Sequence, residues 1–493
     1  MLGACIPVPA LGSETAMGCY DNMIPSPKFL CNTDDYFCHG TTISGDFENA
    51  VEIFKGYVKK AFDLDFTEGN DFILSLDESL DAGEYTILST EGQVVMTAGA
   101  SEGASYALAS LVQVMQNYEG KALIANFEMH DKADNDYRGV MIDCARNVHP
   151  LPLLKKYVDL CWFYKIKYLH LHFTDDQAYT LPSKLFPKLT STHNHYTEEE
   201  IRALVQYAHD RDIQIVPEID TPGHSKALIR AYPEFCHTES KRILCFHEEN
   251  IKALQDLYCE LCDMFPYSDY IHIGADESSI MDWNECEECV NYGESLGIKA
   301  EEFEEHLPKL WHRAERFLVH YINKMAEAIV EKGRKPLVWE GFSREVNQYI
   351  TRDVTVMIFE SLYQIAPSYI KNGFRIINCS WRPTYVVTPA WFWGKDECYK
   401  WDVGTFSAIH PDSPYYDGFF RMESKKGIQG GQLNAWGDTL AQLENGLEDE
   451  YCKIREDLPA IAENTWNNTK RGDYRSFLSC HKHCERIFDN IIK

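Results

Sequence analysis

The run YIHIGAD, residues 270–276, decides how this chain folds. Read as a strand, it places Ile271, Ile273 and Ala275 on one face and His272, Gly274 and Asp276 on the other. An apolar face suits a cover of helices, and a polar face suits the inside of a closed sheet. The run ends on one carboxylic acid and is followed at once by a second, Glu277. Moving outward, comparable runs occur at RGVMID (138–143), YLHLHFT (168–174), IQIVPEI (213–219), PLVWEG (336–341), TVMIFES (355–361), RIINCS (375–380) and GIQGGQLNAW (427–436). Helical stretches lie between several of them, such as LPLLKKYVDLCWFYK (151–165) and TEEEIRALVQYAHDRD (197–212). The second opens on a Thr cap followed by glutamates. Eight strands alternating with helices specify a (β/α)₈ barrel. The fifth-to-sixth and sixth-to-seventh connections are short, so irregularity is expected there.

Upstream of the barrel the pattern differs. EYTILSTEGQVVMTAGA (84–100) reads as two strands around a Glu-Gly turn, and SEGASYALASLVQVMQNY (101–118) as the helix that follows. The polar stretch HDKADNDYRG (130–139) marks a boundary. The expected organisation is a small α/β domain over residues 1–134 and a catalytic (β/α)₈ barrel with C-terminal helices over 135–493.

The 493 residues are 45% hydrophobic and 25% charged, the composition of a globular chain with a sizeable core. A formal net charge of −29 argues against nucleic acid or an anionic membrane as partner, because both call for clustered Lys and Arg. No run approaches the ~18 apolar residues of a membrane-spanning helix. The opening MLGACIPVPALGSETA has no basic segment and carries two prolines in its apolar part, unlike a secretory signal. The 17 cysteines are scattered and odd in number, so a cytoplasmic location is expected ahead of secretion.

In such a barrel the chemistry sits at the carboxyl ends of the strands. Those ends are polar or aromatic throughout: Arg146, then Asp175 and Asp176, then Glu218 and Asp220 with His224 beyond, then Asp276 and Glu277. Trp339 and Glu340, Glu360, Trp381, and Trp436 with Asp438 complete the circuit. One charged loop residue is ordinarily a solvated surface group, but eight consecutive strand ends of this kind point to a site. Adjacent carboxylates such as Asp276 and Glu277 can enter one pocket in different surroundings, one ionised and one protonated.

The pieces RGVMIDCARN, LHLHFTDDQ, VPEIDTPGH, HIGADES, LVWEGF and LNAWGD, in that order, resemble glycoside hydrolase family 20, the β-N-acetylhexosaminidases. The resemblance covers about residues 138–467, and the front unit is similar to the small domain that precedes the family's barrel. It implies a retaining exo-β-N-acetylhexosaminidase that acts on glycans ending in β-linked GlcNAc or GalNAc. The substrate's own acetamido group would be the nucleophile, through an oxazolinium intermediate. It implies Glu277 as general acid/base and Asp276 as the residue that orients the acetamide. Arg146 and Asp438 would bind sugar hydroxyls, with Asp175 and His224 in support, and Trp339 and Trp436 would wall the pocket. Tyr385 would donate to the acetamido oxygen.

The chain departs from the family pattern in four places. Ala275 stands where a second glycine is usual, and Asp438 where Glu is common. Phe359 stands where the sixth strand usually supplies Trp, a place open to Trp381, Trp391 or Trp393. SWRPTY carries three extra residues before Tyr385.

Three other readings compete. A barrel that binds glycans without cutting them would not need an intact Asp276–Glu277 pair. A relative that releases a disaccharide, as a lacto-N-biosidase does, or a modified N-acetylhexosamine would differ only in loop shape. A catalytic metal finds no HExxH or comparable signature, and His170 with His172 reads as a hydrogen-bonded barrel interior. The chemistry implied by the resemblance needs no cofactor. Cys286 and Cys289, a CxxC just after the catalytic pair, together with Cys236 and Cys245 from the preceding loop, form a candidate tetrahedral structural zinc site. The commoner alternative is four small buried hydrophobes.

Overall fold

The computed structural model describes residues 23–190, 194–300, 309–387, 393–408, 418–469 and 472–493. Eight parallel strands form the barrel: β1 (Tyr137–Asp143), β2 (Tyr168–His172), β3 (Gln214–Glu218), β4 (Tyr270–His272), β5 (Lys335–Trp339), β6 (Thr355–Ile358), β7 (Arg375–Asn378) and β8 (Ile428–Ala435). Each pairs with the next, and β8 pairs with both β7 and β1, which closes the ring. All eight coincide with the runs read from the sequence. Registry across β1 to β4 sets Asp143 beside His172, His172 beside Glu218, and Glu218 beside His272. A polar row therefore crosses half the barrel at one level.

Long helices cover the first half: Leu151–Phe163, Glu198–His209, Glu248–Met264 and Lys309–Glu331. Thr197 and Glu200 form a reciprocal capping box that starts the second of these. The β5–β6 connection holds only the 3₁₀ segment Arg344–Tyr349, and the β6–β7 connection only the short helix Ala366–Lys371. The expected irregularity lies there. A further two-residue strand, Tyr385–Val386, pairs with the end of β8 at Asn434 and Ala435, while β7 pairs lower down on β8. It wedges between the last two strands at the mouth.

The N-terminal sheet runs in the order Phe29–His39, Lys121–Asp131, Tyr85–Ser89, Val94–Ala98, Phe72–Leu76, Thr42–Gly45, Thr67–Glu68. The helix Ser101–Val114 packs between this sheet and the barrel helix Leu151–Phe163, buried from Gly103 to Val114. It is shorter than the 101–118 expected from sequence. Met115 turns extended, and Gln116–Tyr118 pairs with Lys121–Leu123 around Glu119 and Gly120, both in the left-handed region. That is the two-residue turn a tight hairpin favours. The C-terminal helix Tyr474–Ile491 returns to this unit, where His483 Nε2 lies 2.8 Å from Gln113 O. Among the described residues no helix is long and apolar enough to cross a membrane.

Candidate active site

The mouth of the barrel is built from the polar row upward. Asp143, the last residue of β1, is fully buried. Its Oδ1 accepts the amide protons of Ala145 (3.1 Å) and Arg146 (3.0 Å). Its Oδ2 accepts Arg146 Nη1 at 2.7 Å and the Gly437 amide at 3.0 Å. Arg146 is thereby aimed over the mouth, where Nη2 reaches Asp175 (2.9 Å), Nε reaches Asp438 (3.3 Å) and the guanidinium covers the Trp436 ring at 5.4 Å. Asp175 continues the line to His172 Nε2 (3.1 Å) and His224 Nδ1 (3.3 Å), and His224 Nε2 lies 3.6 Å from Glu277 Oε2. Burial opposes charge on His172, but Glu218 and Asp175 outweigh it and hold the ring protonated. Burial likewise opposes ionisation of Asp175, yet His172 and His224 hold its carboxyl far below the usual range.

Beneath this line Glu218 is wholly buried among imidazoles. His172 Nδ1 approaches it at 2.6 Å, His170 Nε2 at 3.1 Å, and Trp339 Nε1 donates to it at 2.7 Å. His170 and His172 are thus a hydrogen-bonded interior, as their alternation indicated. Three groups here, His170–Glu218–His272, His172–Glu218–Asp220 and Asp220–His224–Asp276, bring ligand atoms within 4.8 Å of one another. Pairing with other side chains or amides already occupies part of each set.

The catalytic pair divides sharply. β4 ends at His272, and the following turn runs through Gly274, Ala275 and Glu277 with positive φ. Ala275 does face outward, into the apolar layer shared with Ile271 and Ile273. Its φ of 75° means that replacing glycine there costs backbone strain rather than space. Asp276 is 8% exposed, and its Oδ1 is buried with no hydrogen-bond partner among the described residues. Burial first, and Asp220 beside it, push this carboxyl well above its ordinary value. Asp220 itself is raised, chiefly by burial. The Glu277 side chain is 58% exposed, and its contact with His224 lowers its pKa. Of the two carboxyls, the free chain therefore favours the proton on Asp276 and not on Glu277. The left-handed turn swings Glu277 over the rim toward an imidazolium.

The far side of the mouth is aromatic. Trp339 lies 6.0 Å from both Trp436 and Phe359, Tyr385 lies 6.0 Å from Trp436, and Phe359 stacks on Tyr385 at 6.3 Å. The three extra residues before Tyr385 are absorbed in the turn Trp381–Thr384, so the ring still arrives in the site. Trp381 stands beside Phe359, donating its amide to Phe359 O at 2.7 Å, and carries Trp393 against it at 4.9 Å. Trp391 lies outside the described residues. Glu340, fully buried, accepts the amides of Phe359, Glu360 and Ser361 through one oxygen at 3.2, 2.6 and 2.7 Å. It fixes the turn after β6, and burial pushes it up to about 8.

All nine residues expected at the site meet at this mouth. Sequence reasoning did not single out Asp143 or Tyr363, whose hydroxyl feels both Asp276 and Glu277. It named Glu218, Asp220 and Glu340 only as polar strand ends.

The family model described as the catalytic domain of glycosyl hydrolase family 20 matches residues 135–469. The chain belongs to that family. The barrel fold, the enzyme class of glycoside hydrolase and the β-N-acetylhexosaminidase assignment stand with it. It is 28% identical over 448 residues to a beta-hexosaminidase of Akkermansia muciniphila, covering 81% of this chain and 84% of that one. It is 26% identical to a beta-hexosaminidase of Porphyromonas gingivalis over 96% of this chain, but spans 63% of that protein's length. Its fold is similar to that of a GH20 exo beta-N-acetylglucosaminidase of Vibrio harveyi, with a TM-score of 0.78 at 22% identity over 96% of this chain and 77% of the other. A Streptomyces plicatus N-acetyl-beta-hexosaminidase aligns with a TM-score of 0.74 at 19% identity, over 96% and 95% of the two chains.

Proposed function

We propose that this glycoside hydrolase removes terminal β-linked N-acetylglucosamine or N-acetylgalactosamine from glycans with retention, the substrate's acetamido group serving as nucleophile. The observation that carries this reading is Asp276 Oδ1, a buried acceptor with no hydrogen-bond partner among the described residues. An acetamide N–H meets that demand, and an unpaired buried carboxylate would otherwise be costly. With the N–H held by Asp276 and the carbonyl oxygen by the Tyr385 hydroxyl, that oxygen attacks C1 and forms the oxazolinium. Glu277 gives its proton to the departing glycosidic oxygen. Its carboxylate then takes a proton from the water that opens the ring. The neighbouring-group attack draws on effective molarities of about 10⁵ M or more. Arg146 and Asp438 grip the sugar hydroxyls, and Asp175 and His224 brace them. No step calls for a cofactor.

In the free site the proton favours Asp276 over Glu277, whereas the reaction needs the reverse. A bound sugar supplies the reversal. It covers Glu277 from water, which raises its pKa, and its N–H and developing positive charge favour ionised Asp276. The pair titrates as a unit, and the productive form is one tautomer of the singly protonated state.

Replacing Glu277 with Gln tests the assignment. Turnover of a natural glycan should fall by at least ~10²-fold, the scale of general acid catalysis. An aryl glycoside with a stable phenolate leaving group should lose much less, because it hardly needs the proton. Equal losses on both substrates would show that Glu277 is not the acid.

A further inference from the structure

Two loops that carry catalytic residues also carry thiols that the proposed reaction does not use. The loop after β3 bears His224 and continues to Cys236 and Cys245, and the loop after β4 bears Glu277 and continues to Cys286 and Cys289. The fold brings these four together. Sulfurs of Cys245, Cys286 and Cys289 lie within 4.8 Å of one another. Cys236 flanks that trio: Cys245 donates its amide to Phe235 O at 2.8 Å and its sulfur accepts the His237 amide, while Cys236 Sγ itself lies 3.2 Å from Thr238 Oγ1. All four are buried and none is in a disulfide.

The spacing distinguishes the possibilities. A disulfide needs its sulfurs at about 2.05 Å. Two thiolates bound 2.3 Å from one tetrahedral centre stand about 3.8 Å apart, which is the edge of that tetrahedron. Cys245 Sγ and Cys286 Sγ are separated by 3.8 Å. Backbone donors also stand beside the sulfurs. The backbone amides of His237 and Phe246 donate to Cys245 Sγ at 2.9 Å and Cys289 Sγ at 3.2 Å. Such amide donors support metal-bound sulfur. Cys286 is the N-cap of the helix Glu287–Ser295 and Cys289 lies in its first turn, where the helix dipole favours negative charge. The other CxxC, Cys259 and Cys262, sits on the helix Glu248–Met264 and joins no such group among the described residues.

We propose that Cys236, Cys245, Cys286 and Cys289 hold one structural zinc ion as a tetrathiolate. Soft sulfur donors in a closed tetrahedral set select zinc and leave it no open position for water. The ion ties the loop of His224 to the loop of Asp276 and Glu277. The same junction is braced by Trp283, whose indole donates to Leu244 O at 2.8 Å.

The full-length chain, purified under reducing conditions without chelator, should contain about one zinc per chain by elemental analysis. The double variant Cys286→Ser/Cys289→Ser should lose the metal, and Cys259→Ser/Cys262→Ser should keep it. In case the first variant fails to fold, exchange of the native chain with Co(II) gives an independent reading. It should produce the sulfur-to-metal charge-transfer absorption and the intense visible bands of a tetrahedral thiolate site. Three results would overturn the proposal: a metal-free native chain that takes up no cobalt, zinc retained in Cys286→Ser/Cys289→Ser, or a mass showing these thiols paired as disulfides.

Discussion

The two halves of the barrel mouth are built on different principles. From β1 to β4 the strand ends carry charged groups, Asp143, Arg146, Asp175, His224 and Glu277, joined by contacts of 2.7–3.6 Å, with the Asp276 carboxyl buried beside them. From β5 to β8 they carry rings, Trp339, Phe359, Tyr385 and Trp436, whose centroids lie 6.0–6.3 Å apart. The ionic half has long covering helices and an in-register row of strand ends. The aromatic half has short connections and a two-residue strand wedged in at Tyr385. Hydrogen bonds weaken steeply with small errors of distance and angle, so the charged line needs the regular scaffold. Ring packing is less directional and accommodates an irregular one.

Cutting the ionic half should have the largest effect. Asp276→Asn keeps the shape but removes the charge that holds the acetamide and the oxazolinium, and kcat should fall about 10²–10³-fold, as for loss of one preorganised electrostatic contact. The fold should be intact by circular dichroism; near-wild-type kcat would break the contrast between the halves. Cutting the aromatic half by Tyr385→Phe removes one hydroxyl and should lower kcat about tenfold, the scale of a single hydrogen bond. If Tyr385→Phe cost as much as Asp276→Asn, the rings would be doing more than walling the pocket.

The smallest effect sharpens the comparison by pH. At low pH both carboxyls are protonated, and the active singly protonated pair appears as Glu277 begins to ionise. His224 lowers the pKa of Glu277 by hydrogen bond and charge, and also opposes the rise at Asp276. His224→Asn should therefore move the acid limb of kcat/KM to higher pH, with the alkaline limb following. A profile that stays put or moves toward acid would mean His224 does not govern the pair.

Much of this was legible in the sequence because inward and outward residues alternate. YIHIGAD placed Ala275 outward and Asp276 at the mouth, and the other strand runs stood out as short β-rich stretches between helical ones. What stayed hidden depends on contacts between distant segments. The pKa of Glu277 is set by His224, which belongs to another loop. The role of Asp143 depends on an amide from Gly437 that no local pattern predicts. The overshoot of the helix past Val114 had a local cause, since the apolar pattern continues into a segment that hairpin pairing claims.

That single carboxylate has a consequence for how activity arises. Asp143 binds Arg146 with the same oxygen that receives Gly437 from beyond the last strand. The pairing of β1 with β8 joins residues almost at opposite ends of the barrel sequence, and contacts of such separation pay the greatest loop-closure entropy during folding. A chain whose barrel has not shut leaves the sugar-gripping arginine without its full set of anchors. Catalysis is thus a late-arriving property, and turnover regained after dilution from denaturant reports the closing of the ring rather than the formation of its parts.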